Sequence, residues 1–196
     1  MRTLKRFLTL KIAAVLVLCG ACSAAQRMTN TVASATAVIS DLNGAPIGTA
    51  QLSQDVNGRV NVDIYFDAPV VINTTPPLPL SAGTHGIHFH QVAKCEGGAT
   101  AFSTAGGHFN PLSKEHGLQN PNGPHAGDAP NIVIPSGGVS KVSFSTDRVS
   151  LTAGPTSLFD ADGSSIVVHA GADDQVSQPA GNSGGRIACG VIRAIP

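Results

Sequence analysis

Apolar and polar residues alternate along short segments near the start of the chain. The clearest segment is Val60–Phe66, in which every second residue from Val60 is apolar, the pattern of a half-buried β-strand. Similar runs cover Val32–Ser40 and Ile47–Ser53. Asn43-Gly44 and Asn57-Gly58 separate the three runs, and Asn-Gly pairs are typical of tight hairpin turns. The pattern therefore predicts an antiparallel meander.

More strands are predicted in the rest of the chain, and two long irregular segments interrupt them. We call residues 92–130 the first loop and residues 170–185 the second loop; both are rich in Gly and lack a period. Residues 70–80 form a Pro-rich connector. Short strands at this spacing predict an all-β sandwich or barrel. The further predicted strands are His85–Gln91, Val139–Ser145, Ser164–His169 and Arg186–Arg193.

The composition is consistent with that fold class. The 196 residues include 22 Gly and 13 Pro but no Trp, and aromatic residues make up 4%. This composition favours an all-β protein with long loops over a helical bundle. The length is sufficient for one domain with a complete core, and no internal segment is long and apolar enough to predict a transmembrane helix.

The first residues have the pattern of an export signal. Basic residues precede a short apolar run, and residues 19–22 read Cys-Gly-Ala-Cys. Small residues before a cysteine resemble the cleavage site of a bacterial lipoprotein. The pattern predicts a signal peptide over residues 1–21, a lipid on Cys22, a tether over residues 22–31, and a location in the periplasm or cell envelope. A cut near Ala25 without lipid is the alternative.

The charge balance changes when this segment is removed. The whole chain has 12 basic and 12 acidic residues, and four of the basic but none of the acidic residues lie in 1–21. The remainder therefore carries a net charge of −4 with neutral histidines. A mildly acidic surface argues against a nucleic-acid partner. An anionic substrate would need a local positive patch to attract it.

Two cysteines remain when Cys19 leaves with the signal peptide and Cys22 carries lipid. They are Cys95 and Cys189. Export to an oxidising compartment favours a disulfide between them, and two free buried thiols are the alternative. The bond would close a loop of more than half of the domain, which contributes about 4–5 kcal/mol in the chain-entropy model.

Three of the seven histidines cluster on one predicted strand. His88 and His90 are two residues apart and therefore share a face, where their imidazoles could bind one metal. An alternative is a merely polar strand face. His85 lies an odd number of residues from His88 and is expected to face the other side, with a structural role.

The first loop adds a second potential metal site. His108, His116, His125 and Asp128 supply three imidazoles and one carboxylate, a set that suits a closed tetrahedral Zn²⁺ site. A loop so rich in Gly and Pro has little apolar surface to bury, so a metal is a plausible organiser. Solvent-facing histidines would explain each residue singly but not the whole set.

Several motifs occur in a fixed order along the chain: Gly83–His90, Gly107–Pro111, His116-Gly117, Pro124–Asp128, Val167–His169, Ala172–Asp174 and Gly181–Ile192. In this order they resemble the copper/zinc superoxide dismutase family over residues 32–196. The resemblance implies an eight-stranded antiparallel Greek-key β-sandwich or barrel. It also implies an enzyme that converts superoxide to dioxygen and hydrogen peroxide with copper and zinc as cofactors.

The resemblance also assigns roles to individual residues. Cys95 and Cys189 match the family's disulfide, Arg186 matches a guanidinium beside the copper, and Asp173 matches a carboxylate that links His88 to His116. His108 would bridge the two metals, leave copper on reduction and deliver a proton. The implied copper ligands are His88, His90, His108 and His169. The implied zinc ligands are His108, His116, His125 and Asp128.

Two other functions are compared with this one. A noncatalytic copper/zinc-binding or delivery module and a structural β-sandwich would not need the complete ligand set together with Arg186.

The second loop contains no Lys between Gly171 and Ala180, so Lys94 or Lys114 is the expected source of a positive field for superoxide. Monomer and homodimer both remain open.

Overall fold

Short antiparallel strands make up nearly all the regular structure in the computed structural model, which describes residues 30–67, 80–97, 100–136 and 140–196. The predicted signal peptide, Cys22 and most of the Pro-rich connector lie outside these residues. The described strands are β1 (Thr31–Asp41), β2 (Pro46–Asp55), β3 (Val60–Phe66), β4 (Gly83–His85), β5 (Ile87–His90), β6 (Ile132–Ile134), β7 (Ser140–Thr146), β8 (Ser165–His169), β9 (Arg186–Val191) and β10 (Arg193–Ile195).

Eight of these strands form one antiparallel sheet. Its order is β5-β8-β9-β1-β2-β3-β7, with β10 paired to β1, and β4 and β6 form a separate two-stranded sheet. The prediction of an all-β antiparallel fold is confirmed. Within the described ranges, the one helical element is a 3-10 turn at Ser103–Ala105, and no helix there is long and apolar enough to cross a membrane.

The predicted alternation on β3 is confirmed by burial. Val60, Val62, Ile64 and Phe66 are at most 1% exposed, whereas the residues between them are exposed or half-buried. The buried side chains pack with Phe89 and the inward-facing residues of the other strands in one core. Burial of this apolar surface is the main force that holds the sheet together.

Both predicted hairpin turns are present and share one construction. Gly44 and Gly58 have φ of 79° and 85°, a backbone region that glycine enters without steric cost. In each turn an aspartate, Asp41 or Asp55, accepts hydrogen bonds from the main-chain amides two and four residues later at 2.9–3.0 Å. These bonds fix the register of the meander.

The prediction of one continuous strand at His85–Gln91 is wrong. The segment divides at Gly86 into β4 and β5, which belong to different sheets. Gly86 N donates to Gly171 O at 2.8 Å and Gly86 O accepts from His169 N at 2.9 Å. A Cβ at Gly86 would lie 3.0 Å from the Cβ of Ser183, so this position brings β5 against the second loop.

Candidate metal centre

Four histidines converge at one end of the sheet. His88 and His90 lie on β5, His169 ends the neighbouring strand β8, and His108 comes from the first loop. Their ligand nitrogens lie within 4.8 Å of one another, and all four residues are buried. We call these four residues the sheet group.

Main-chain hydrogen bonds bring the first loop back onto β5. Phe89 N donates to Gly127 O at 2.9 Å, Phe109 N donates to Phe89 O at 2.8 Å, and Gly127 N donates to Phe109 O at 2.8 Å. Because His108 precedes Phe109 and Asp128 follows Gly127, this three-way contact places both beside the histidines of β5.

Each of the three histidines on β5 and β8 has one ring nitrogen that donates a hydrogen bond to a fixed acceptor. His88 Nε2 donates to Asp173 Oδ2 at 2.7 Å, His90 Nδ1 to Gly106 O at 3.0 Å, and His169 Nδ1 to Gly184 O at 3.1 Å. In a neutral imidazole this leaves the other nitrogen with a free lone pair. Those other nitrogens are ready to bind a metal.

The free nitrogens are also buried without a hydrogen-bond partner among the described residues. They are His88 Nδ1, His90 Nε2, His108 Nε2 and His169 Nε2. A buried polar atom left unpaired costs about 1–3 kcal/mol, so four of them in one place indicate that a ligand belongs there. Four imidazole nitrogens are a donor set that suits copper.

Burial keeps these rings neutral. It lowers the pKa of His88 to about 3 and that of His169 to about 4, and neighbouring histidines add to the effect. The pKa of His90 is also lowered well below its usual value, first by burial and then by the charges of His108 and Arg186. At neutral pH the lone pairs are therefore available to a metal.

A second set of donors surrounds Asp128. His108 Nδ1 and His116 Nδ1 each lie 3.0 Å from Asp128 Oδ1, and His125 Nδ1 lies 3.3 Å from the same atom. We call these four residues the carboxylate group. Three imidazoles and one carboxylate oxygen are a donor set that suits zinc. His88 is also near, since donor atoms of His88, His108, His116 and Asp128 all lie within 4.8 Å of one another.

Hydrogen bonds orient Asp128 and keep it ionised. Its Oδ2 accepts from Gly117 N at 2.8 Å and from His125 N at 2.9 Å. Burial favours the neutral acid, but bonds to three histidines and to Gly117 outweigh it and hold the pKa of Asp128 far below its usual value. Oδ1 thus remains a negatively charged acceptor and potential metal ligand directed at the three rings.

Asp173 joins the two groups. Its Oδ2 accepts from His88 Nε2 at 2.7 Å and its Oδ1 from His116 Nε2 at 3.1 Å. Burial lowers the pKa of His116, yet Asp128 and Asp173 outweigh burial and raise it to about 9. Asp173 is itself held by Asn131, whose amide bonds both main-chain groups of Asp173 at 2.8 Å.

A cavity of about 400 Å³ opens onto the sheet group. Arg186 is the one Lys or Arg among its described lining residues, so neither Lys94 nor Lys114 lines it. Arg186 Nη1 donates to Phe102 O at 2.7 Å and Nη2 to Gly106 O at 2.5 Å. These bonds fix the guanidinium at the cavity wall.

The predicted disulfide is confirmed. Cys95 and Cys189 are bonded, with their Cα atoms 5.6 Å apart. The bond ties the first loop, which contains Phe102, to β9, which begins at Arg186. The disulfide therefore links the loop that contains Phe102, whose oxygen accepts from the guanidinium, to the strand that carries Arg186.

Three further residues lie near the centre: one histidine outside both ligand groups, and two residues that the sequence did not predict. The His85 ring contacts His169 O at 2.8 Å and Ser81 O at 2.9 Å, outside both groups. Sequence reasoning missed Asn131 and also Arg148, whose Nη2 donates to Asp128 O at 2.6 Å. Neither residue lies in a recognisable motif or period, so the sequence offered no signal for them.

Comparisons with known proteins agree on one family. The model of the family copper/zinc superoxide dismutase (SODC) matches residues 47–192. Copper–zinc superoxide dismutase 1 of Aquifex aeolicus is 43% identical over 151 residues, which cover 76% of this chain and 82% of that protein. The copper–zinc enzyme of Deinococcus radiodurans is 40% identical over 168 residues, covering 78% and 87%.

Solved structures agree with these sequence matches. A crystal structure of a superoxide dismutase-like protein from Bacillus subtilis has a TM-score of 0.69 and 31% identity, and the match covers 79% of this chain and 95% of that one. The chain therefore belongs to the copper/zinc superoxide dismutase family, and it is an oxidoreductase that uses copper and zinc and acts on superoxide.

Proposed function

We propose that the sheet group holds copper, that the carboxylate group holds zinc, and that the centre converts superoxide to dioxygen and hydrogen peroxide. The observation that carries this proposal is the set of four buried imidazole nitrogens without hydrogen-bond partners among the described residues. His108 belongs to both groups, with Nε2 in the first and Nδ1 in the second, and is the proposed bridge.

The metals and the chain have different tasks. Copper supplies the one-electron exchange with superoxide, while zinc, which has no redox chemistry, supplies a fixed charge and geometry. Arg186 binds the substrate anion: two of its five N–H groups are used by Phe102 O and Gly106 O, and the others are left for the anion. Because a guanidinium stays charged at any relevant pH, it holds the anion throughout the cycle.

Proton delivery is assigned to His108. Its Nε2 lies in the sheet group beside the cavity, so whenever this nitrogen is not bound to copper it can take a proton from the cavity and donate it to the reduced oxygen species. Burial lowers the pKa of His108, and its bond to Asp128 opposes that effect. Histidine is the side chain that most often serves in such proton transfer.

Asp173 is assigned the role of holding two rings in place. Its bond to His88 Nε2 keeps the proton on that nitrogen and leaves Nδ1 for copper. Its bond to His116 Nε2 does the same for the zinc side. Such outer carboxylates fix the tautomer and orientation of metal-bound imidazoles.

The test is superoxide decay measured by pulse radiolysis on the purified protein loaded with copper and zinc, with His88→Ala as the matched variant. We expect rapid copper-dependent decay of superoxide, which the His88→Ala variant loses.

Some relatives carry the name superoxide dismutase-like, among them YojM of Bacillus subtilis, 43% identical over 108 residues. Tight metal binding without decay would favour the noncatalytic metal-binding module.

The proposed location is outside the cytoplasm, with a lipid on Cys22 as the membrane anchor. The basic and apolar pattern of residues 1–21 supports it, and so does the Cys95–Cys189 disulfide, since such bonds persist in oxidising compartments. Mass spectrometry of the native protein tests it. A diacylglyceryl mass on a chain that starts at Cys22 is expected, and an unmodified start at Gln26 would contradict the anchor.

A further inference from the structure

Two glutamines of the second loop hold the main chain around His116. Gln178 Oε1 accepts from His116 N at 2.8 Å, and Gln178 Nε2 donates to His116 O at 3.0 Å. Gln175 is 7% exposed; its Oε1 accepts from Leu118 N at 3.4 Å and its Nε2 donates to Ala129 O at 3.3 Å. Both carboxamides therefore bridge the second loop to the first.

The orientation of the Gln178 amide follows from its partners. A main-chain N–H can only donate and a carbonyl can only accept, so Oε1 must face His116 N and Nε2 must face His116 O. The remaining N–H of Nε2 donates to Val176 O at 3.2 Å. A flipped amide would place donor against donor and acceptor against acceptor, so the two-point contact admits one arrangement.

Gln175 is constrained in its main chain as well. Its φ of 65° is unusual for a residue with a side chain. Its N donates to Asp173 Oδ1 at 2.6 Å, and its O accepts from Gln119 N at 3.1 Å. A Cβ at Gly117 would overlap this same carbonyl, so the two loops touch backbone to backbone.

The chain continues directly from Gln178 into the cavity wall. Pro179 and Ala180 line the cavity together with the sheet histidines. Gly181 N donates to Ser177 O at 2.7 Å, which closes a turn with Gln178, Pro179 and Ala180 at its tip. One residue of this tip holds a zinc-side histidine, and the next two face the anion path.

We propose that Gln175 and Gln178 are positioning residues that couple His116 to the cavity wall. Metal bound at the carboxylate group keeps His116 in place, and the two carboxamides pass that constraint to Pro179 and Ala180. Because the carboxamides connect the two sites, disturbing them weakens metal binding at the carboxylate group and also changes anion binding at the sheet group. This inference rests on the proposed assignment of His116 to the zinc site.

The experiment uses Gln178→Met, which keeps the side-chain length and removes the amide, and Gln175→Met in parallel. Gln119→Met is the control, because Gln119 is an exposed glutamine of the facing first loop that contacts Gln175 O through its main-chain N, which the substitution keeps. Co²⁺ in place of zinc reports on the carboxylate group by its visible absorption. Azide reports on anion access to copper in the fully loaded protein.

We expect Gln178→Met to weaken Co²⁺ binding about tenfold and to change the azide dissociation constant about fivefold. Gln175→Met should shift both quantities in the same directions, and Gln119→Met should match the wild type. Gln178→Glu keeps the acceptor for His116 N and should lie between Gln178→Met and the wild type. If Gln178→Met does not fold, Gln178→Glu is compared with the wild type for the same two quantities.

Two results would overturn the coupling. One is wild-type Co²⁺ and azide binding in both methionine variants, and the other is a loss of Co²⁺ affinity with unchanged azide binding. A wild-type protein that lacks the tetrahedral Co²⁺ spectrum would instead overturn the zinc assignment itself, so the two failures are distinguishable.

Discussion

His90 and Arg186 share one acceptor, the main-chain oxygen of Gly106. His90 Nδ1 donates to it at 3.0 Å and Arg186 Nη2 at 2.5 Å. A carbonyl oxygen has two lone pairs and can serve both donors. The position of the guanidinium is therefore tied to the ring of a proposed copper ligand, and the following variants test what this arrangement does.

Arg186→Met should lower the second-order rate constant with superoxide about tenfold, because the cavity then loses its one permanent positive charge among the described lining residues. Arg186→Lys should lose less, since it keeps the charge but cannot bond both carbonyls. Pulse radiolysis at several salt concentrations measures both effects. Arg193→Met, a change at an exposed arginine, is the control, and an equal loss there would contradict the role of Arg186.

Asp173→Asn should weaken binding of both metals about 10–100-fold. Asparagine has one acceptor oxygen, so it can serve His88 or His116 but not both. Chelator competition measures the two affinities, and Asp174→Asn, which changes an exposed neighbouring carboxylate, is the control. Unchanged affinities in Asp173→Asn would show that the two rings hold their orientation without it.

Zinc affinity should rise about tenfold per pH unit between about pH 6.5 and 8.5. The pKa of His116 in the metal-free protein is raised to about 9, so below that pH the ring must lose a proton to bind metal. Stability of the metal-free protein has the opposite pH dependence: the stabilisation from His116 is fully present below its unfolded pKa and is lost as pH rises through about 9. A pH-independent affinity in chelator competition would contradict this.

Replacing the disulfide with Cys95→Ser/Cys189→Ser should lower the Tm by about 10–20 °C. The two cysteines are 94 residues apart, so the bond contributes about 4–5 kcal/mol by restricting the unfolded chain, and about 1 kcal/mol shifts the Tm of a domain this size by about 2–4 °C. Differential scanning calorimetry measures the shift. A reductant should lower the wild-type Tm similarly and leave the double variant unchanged.

Gly181→Ala should reduce zinc affinity more than tenfold. Gly181 has φ of 62°, and a Cβ there would overlap the Asp173 carboxylate and lie 2.8 Å from His116 Nε2. The methyl group must therefore displace the contact between Asp173 and His116. Gly97→Ala is the control, since a Cβ at Gly97 meets nothing within 4 Å, and equal zinc affinity in the two variants would refute the steric argument.

Features with a local sequence pattern, such as the meander, could be predicted from the sequence. Features that depend on contacts between distant residues could not. Apolar and polar residues alternate over Val60–Phe66 because one face of β3 is buried, and this period can be recognised in a short stretch of sequence. The division at Gly86 depends on contacts with Gly171 and Ser183, which are distant in the chain. Gln178 and Asn131 were invisible for the same reason, because a carboxamide that bonds a remote main chain leaves no local pattern.

The two halves of the centre are built on different kinds of support. On the proposed copper side, His88, His90 and His169 are carried by paired strands, whereas on the proposed zinc side, Asp128 and its histidines come from irregular chain. Altering strand residues on the copper side disturbs the core, whereas residues 111–124 contribute no side chain to the core, so changes that keep His116 and its contacts with the second loop should leave the core intact. The fold is thus modular, and metal preference at the loop could be redesigned by grafting while the strands stay unchanged.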